Sequence, residues 1–164
     1  MIPSTASHQG RPTVATASGA DFLANPNLHR EVFGPFSLVI QCSDERELLR
    51  VIASLDGQLT GSIFCEAGEL AYHSDVVDVL RSRVGRMICN GVPTGVEVCP
   101  SMQHGGPYPA TTDSRFSAVG ADAIKRFARP VAFQSWPQEL LPDALKDGNP
   151  LGIQRVVDGE YGTN

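Results

Sequence analysis

Between residues 37 and 90 the chain alternates short apolar runs with amphipathic stretches, and few folds accept that order. Residues 37–41 read SLVIQ, a mostly apolar run of strand length. Leu48, Val51, Ile52 and Leu55 then recur at i, i+3, i+4 and i+7, which places them on one helical face. Asp44 with Glu47 three residues on has the spacing of a capping box, and Asp56-Gly57 stops the helix. LTGSIFC, residues 59–65, is the next strand. A second helix is predicted over 69–84, with Leu70, Val76, Val77, Leu80 and Val84 as its stripe. Arg81 and Arg83 complement the dipole at its end, and Gly85 is its expected stop. RMICN, residues 86–90, gives a third strand at once. Strands and helices alternating through such short connections predict an α/β fold, a parallel sheet with flanking helices.

The flanks are less periodic. A short strand through Val14 and a brief helix over 20–23 precede the stop Asn25-Pro26-Asn27. Residues 91–119 are rich in Gly, Pro and Thr and show no period. Loops this long inside a compact domain are uncommon and often functional. A short helix over 121–127 places Ile124 and Phe127 at i and i+3, and PVAFQ, residues 130–134, reads as a strand. From Ser135 onward, prolines and glycines predict an extended, partly ordered arm.

Composition narrows the function classes. The chain has 164 residues, of which 41% are hydrophobic and 19% charged, values that suit one soluble domain with a core. The formal net charge is -5 and there is no Lys/Arg run, so neither nucleic acid nor an anionic membrane is an expected partner. No apolar run approaches the length of a membrane span. The opening residues lack the pattern of a secretory signal, so the expected location is cytoplasmic. Cys42, Cys65, Cys89 and Cys99 are scattered without a CxxC pair, so no metal site is expected. Disulfides are equally unexpected in a cytoplasmic chain. Cys42, Cys65 and Cys89 lie in apolar runs and read as small buried hydrophobes.

Four local features carry possible chemistry. Glu31 stands two residues before Phe33-Gly34-Pro35, so an acid and a ring share a turn or extended loop. The carboxylate suits a sugar diol and the ring suits a planar heterocycle; the plainer reading is a solvated acid and a core phenylalanine. The loop over 90–116 carries Gly105-Gly106, which frees the backbone at a pocket mouth. Its plainer reading is a packed connection. Cys99 and His104 together suggest a nucleophile and base, but their spacing fixes no geometry. Glu66 and Glu69 follow a strand, where two acids can exchange protons. For Glu69 a first-turn helix acid is the simpler role.

These residues resemble a known family. EVFGPF, residues 31–36, resembles the E-x-F-G-P motif of the NAD(P)-dependent aldehyde dehydrogenase superfamily. Pro12-Thr13-Val14, Asn90 at the end of GRMICN, HGG, SRFSAVG and ARPVAF fit the same family in order. The loop NGVPTGVEVCPSMQHGGPYPATTDSRFSAVG and the tail LLPDALKDGNPLGIQRVVDG resemble the bacterial dehydrogenases of 2,5-dioxopentanoate, also called 2-oxoglutarate semialdehyde. The resemblance covers residues 11–159 and implies the later part of the catalytic domain. Ser, Thr, Gly, Pro and Gln dominate residues 1–10, which read as a flexible start; the resemblance implies a partial catalytic domain with its closing strand over 11–134 and a C-terminal arm over 135–164.

Carried over by motif, Glu31 would hydrogen-bond the nicotinamide ribose and Phe33 would lie beside the nicotinamide of NADP or NAD. The stretch holding Val96, Cys99, Pro100 and Met102 would line the aldehyde tunnel. A dicarboxylic semialdehyde calls for a cation, and Arg115 is a candidate. The family also implies a homo-oligomer. Its chemistry is attack of a cysteine thiolate on the aldehyde to a thiohemiacetal, hydride transfer to NAD(P)+, and release of the acid by water. The family's nucleophile precedes E-x-F-G-P, whereas all four cysteines here follow Glu31. No G-x-G-x-x-G turn is present either. No catalytic residue is therefore assigned, and the chain alone is expected to be inactive. The competing expectation is a stand-alone binding or structural α/β module.

Overall fold

A computed structural model describes residues 9–93 and 95–163. The expected flexible start over 1–10 lies, except for its last two residues, outside the described residues. The chain forms two units, one ending at Ala128 and one beginning at Arg129.

The first unit has the expected α/β character, with parallel strands and helices and, among the described residues, only two-stranded sheets. Strand β1 (Thr13–Ser18) pairs in parallel with β2 (Phe36–Gln41), Thr13 opposite Phe36 and Ser18 opposite Gln41. Helix α1 (Gly19–Ala24) and a 3-10 turn (Pro26–His29) carry the chain between them. Strand β3 (Gln58–Ile63) pairs in parallel with β4 (Val84–Cys89), with α3 (Ser74–Arg81) between them. Helix α2 (Glu45–Ser54) connects the pairs and packs on both α1 and α3. The strands make two separate two-stranded sheets, since β2 and β3 are not ladder partners. Each pair therefore keeps open edges.

Local chemistry explains the boundaries. The Asp44 carboxylate accepts from the Glu47 N–H at 2.7 Å, and Glu47 reaches back to the Ser43 N–H at 2.7 Å. The Asp44 half of the capping box thus satisfies an orphan donor in the first turn of α2, while the Glu47 half closes on the N–H one residue before the cap and not on that of Asp44. His73 Nδ1 meets Glu45 at 2.6 Å and ties the start of α3 to the first turn of α2. The helix predicted over 69–84 is shorter. A 3-10 turn (Glu69–Ala71) comes first, entered through left-handed Gly68 at φ 90°, and α3 begins only at Ser74. Val84, assigned to the helix stripe, opens β4, and Gly85 lies inside that strand.

Gly85 is needed there for space. A Cβ on it would collide with the Gly105 carbonyl, and one on Gly57 would collide with the Pro107 carbonyl. The Gly57 N–H also donates to the Tyr108 carbonyl at 3.3 Å. Backbone meets backbone where residues 105–108 cross the starts of β3 and β4, and only glycines allow that approach.

The core is small. Among the described residues the buried apolar side chains are Phe22 of α1, Val51 and Ile52 of α2, and Val84 of β4. Phe33, Phe64, Val98, Ile124 and Phe127 are exposed. Residues 121–127 form a 3-10 helix at the predicted place.

In the second unit, residues 130–134, expected as a closing strand, have no ladder partner among the described residues. A strand needs a neighbour for its N–H and C=O groups, and none is bonded here. The tail, expected as an extended, partly ordered arm, carries its ordered part at its end. Strands β5 (Arg155–Val157) and β6 (Glu160–Gly162) make an antiparallel hairpin across Asp158-Gly159, both at positive φ. Asp-Gly is a strong hairpin signal. Buried Asn149 donates to the Ile153 and Thr163 carbonyls at 2.8 and 2.9 Å, which fastens the hairpin to the turn before it.

Candidate functional site

A cleft of the first unit, about 1050 Å³, opens between the loop after α1 and the start of β3. Glu31 and Phe33 stand on one side, Gln58 to Thr60 on another, and Arg86 and His104 complete the wall. The volume is at the upper end for a small-molecule site.

The loop geometry keeps the acid and ring at the rim. His29 stacks on buried Phe22 with ring centroids 4.1 Å apart, and its Nε2 meets the Phe22 carbonyl at 2.9 Å. That contact anchors the loop just before Glu31. Beyond it, Gly34 adopts φ 155°. A Cβ at this position would meet nothing within 4 Å, so the backbone angle, and not crowding, calls for glycine. The Thr13 N–H donates to the Pro35 carbonyl at 2.9 Å and fastens the loop's exit to β1. Glu31 is exposed, and Phe33 is 92% exposed. A core phenylalanine, the plainer reading of the motif, is thereby excluded for Phe33.

Arg86 has no place among the sequence-derived candidates. Its Nη1 donates to the Gly95 carbonyl at 2.9 Å and approaches the Met102 sulfur at 3.8 Å. Its Nε is buried without a hydrogen-bond partner, as is Nδ1 of His104. A cation inside the apolar strand RMIC was the available signal. Arg86 therefore joins the cleft to the stretch that holds the expected tunnel residues.

Those residues do not share the cleft. Pro100 and Met102 line a separate pocket of about 180 Å³ with Arg115, Phe116 and Lys125. Val96 and Cys99 line neither space. Arg115 is already engaged: its Nε and Nη2 hold the Asp113 carboxylate at 2.9 and 2.6 Å, and its guanidinium lies 5.3 Å from the Phe116 ring centre. The Arg115 hydrogen bonds hold the Asp113 carboxyl down at about 2.

Cys99 and His104 are not brought together. The Cys99 sulfur meets Ser101 Oγ at 3.4 Å, while the His104 backbone N–H is held by buried Ser117 at 3.1 Å and its ring faces the cleft. Glu69 accepts the Glu66 N–H at 2.6 Å, a turn-closing role. The reading of the cysteines as buried hydrophobes is corrected: Cys89 is exposed, and Cys42 and Cys65 are only partly buried. Cys89 comes last in β4, where the small core does not cover it. Burial and the nearby Glu47 and Asp44 carboxylates push the Cys42 thiol up, so it stays protonated.

Among the described residues there is no helix long and apolar enough to cross a membrane and no cluster of side chains able to hold a metal ion.

Comparison with known proteins follows the sequence resemblance. Over 152 residues, 92% of this chain, it is 49% identical to "Alpha-ketoglutaric semialdehyde dehydrogenase" of Acinetobacter baylyi. Over 139 residues, 85% of this chain, it is 48% identical to "Alpha-ketoglutaric semialdehyde dehydrogenase 2" of Azospirillum brasilense. The chain spans 29% and 26% of the lengths of these two relatives. No family model matches. The expected resemblance to aldehyde dehydrogenases is thus borne out along most of the chain. It extends to the substrate in the relatives' names, since alpha-ketoglutaric semialdehyde and 2,5-dioxopentanoate are one compound.

Proposed function

We infer that the chain belongs to the aldehyde dehydrogenase family and supplies the C-terminal share of its catalytic domain. The observation that carries the reading is Glu31 and Phe33 at the rim of one cleft, in a chain 49% identical to a semialdehyde dehydrogenase.

The residues present fit the nicotinamide riboside end of NAD(P). An exposed carboxylate beside an exposed ring matches a diol next to a planar heterocycle. The unpartnered Arg86 Nε and His104 Nδ1 give the cleft wall spare polar capacity. When bound, NAD(P)+ supplies the hydride acceptor. The two Glu31 carboxylate oxygens accept hydrogen bonds from the vicinal ribose hydroxyls and fix the sugar's orientation. The Phe33 ring covers one side of the nicotinamide and excludes water from it. Arg86, through Gly95 and Met102, sets the height of the stretch holding Val96, Cys99, Pro100 and Met102, which forms the aldehyde tunnel. The substrate is 2,5-dioxopentanoate, and the attacking thiol belongs to polypeptide outside these residues. The working protein is a cytoplasmic homo-oligomer that uses NADP or NAD. The many exposed apolar side chains favour this reading over a self-sufficient module, which would cover them.

The purified chain, given 2,5-dioxopentanoate with NADP+ or NAD+, is expected to produce no reduced nicotinamide above a blank. Turnover abolished by thiol alkylation would overturn the assignment of the nucleophile.

A further inference from the structure

The ends of β3 and β4 bring two thiols together. Ile63 is the ladder partner of Cys89, and the Asn90 N–H donates to the Ile63 carbonyl at 2.8 Å. Cys65 follows the end of β3 by two residues, in the segment that leaves the strand. The Asn90 carboxamide holds it at both backbone groups: the Cys65 N–H donates to Oδ1 and Nδ2 donates to the Cys65 carbonyl, each at 2.9 Å. Asn90, the residue after Cys89, thus holds Cys65 beside the end of β4, close enough for the two thiols to influence one another, and both cysteines are free.

We propose that Cys65 and Cys89 form a dithiol modification site that closes to an intramolecular disulfide under a small disulfide oxidant such as oxidised glutathione. Burial first, then Cys89 and the acids Glu69 and Glu66, push the Cys65 thiol up, which disfavours it as the first nucleophile. Cys89 is the exposed member and meets the reagent. Its thiolate attacks one sulfur of the oxidant, forming a mixed disulfide and releasing one glutathione thiolate. The Cys65 sulfur then attacks Cys89, giving up its proton to solvent and expelling the second glutathione thiolate. Two protein thiols are oxidised, and one glutathione disulfide is reduced to two thiols. The bond staples the strand ends immediately before Asn90, where the long loop toward residues 96–102 begins. Disulfides that form in a reducing compartment are mostly transient and redox-sensing, and a reversible pair of this kind suits that pattern. The site does not depend on the dehydrogenase reading.

The test is oxidation of the full chain with glutathione disulfide, alkylation of remaining thiols, and peptide mapping without reduction, in buffer and in guanidinium chloride. In the folded chain the Cys65–Cys89 cross-link dominates, with loss of two hydrogens from the intact mass. Cys42→Ser leaves it unchanged and Cys89→Ser abolishes it. In guanidinium the shorter loop between Cys89 and Cys99 closes more readily and takes over. Reaction that stops at a mixed disulfide on Cys89 would overturn the proposal. So would a folded chain that pairs Cys89 with Cys99 or with a second molecule.

Discussion

The side chain of Asn90 bonds both backbone groups of Cys65, at 2.9 Å each, across the ends of two parallel strands. Asn90 itself sits at φ 51°, a left-handed conformation that asparagine tolerates better than most residues. Position 90 thus has two requirements, a conformation and a pair of hydrogen bonds. Asn90→Ala loses both and is expected to cost about 1–2 kcal/mol. Asn90→Gly restores the conformation without the bonds, and Asn90→Asp keeps the acceptor. Amide exchange at Cys65 separates them: it should be fast in the Ala and Gly variants and stay slow in the Asp variant.

The contact between Gly85 and the Gly105 carbonyl leaves no room for a methyl group. Gly85→Ala must displace residues 105–108 from the starts of β3 and β4. The expected cost is about 1–3 kcal/mol, the range for overpacking. Gly95 has open space around its Cα and no positive φ, so Gly95→Ala is the tolerated control. Urea midpoints of the two variants against the parent check the difference.

Arg115 holds Asp113 at about 2, below the ordinary 3.8. A depressed carboxyl supports the fold at pH values above its unfolded value and loses that support as pH falls through its folded one. The contact's contribution is therefore complete above about pH 4 and fades toward pH 2. Arg115→Gln is expected to return the Asp113 titration toward the ordinary range, read by NMR of its carboxyl carbon.

Some of the fold is legible in the sequence because it rests on period and capping. The face of Leu48, Val51 and Ile52, and the pair Asp44 and Glu47, give α2 its place and its start. The helix before β4 reads too long because its apolar stripe runs on into Val84. Apolar residues at a helix end and at a buried strand start look alike without the chain path. Gly85 misleads for a related reason. A glycine required by a carbonyl from a loop twenty residues away has the same letter as one that ends a helix. The site divides in the same manner. Glu31 and Phe33 come from a contiguous motif. Arg86 owes its position to a carbonyl at Gly95 and a sulfur at Met102, contacts that no local spacing encodes. The hairpin of β5 and β6 is a different case, since Asp158-Gly159 carries its signal openly.

The central claim is that Glu31 and Phe33 form a nicotinamide riboside site within this chain. Its most direct test is a chemical-shift titration of the labelled 164-residue chain with nicotinamide riboside, in parent and Glu31→Gln forms. Weak binding is predicted, with Kd about 1 mM, and shifts at Phe33, Gln58 and other residues of the cleft. These shifts should be largely lost in Glu31→Gln. Absence of shifts in the parent, or the same shifts in both proteins, would contradict the claim.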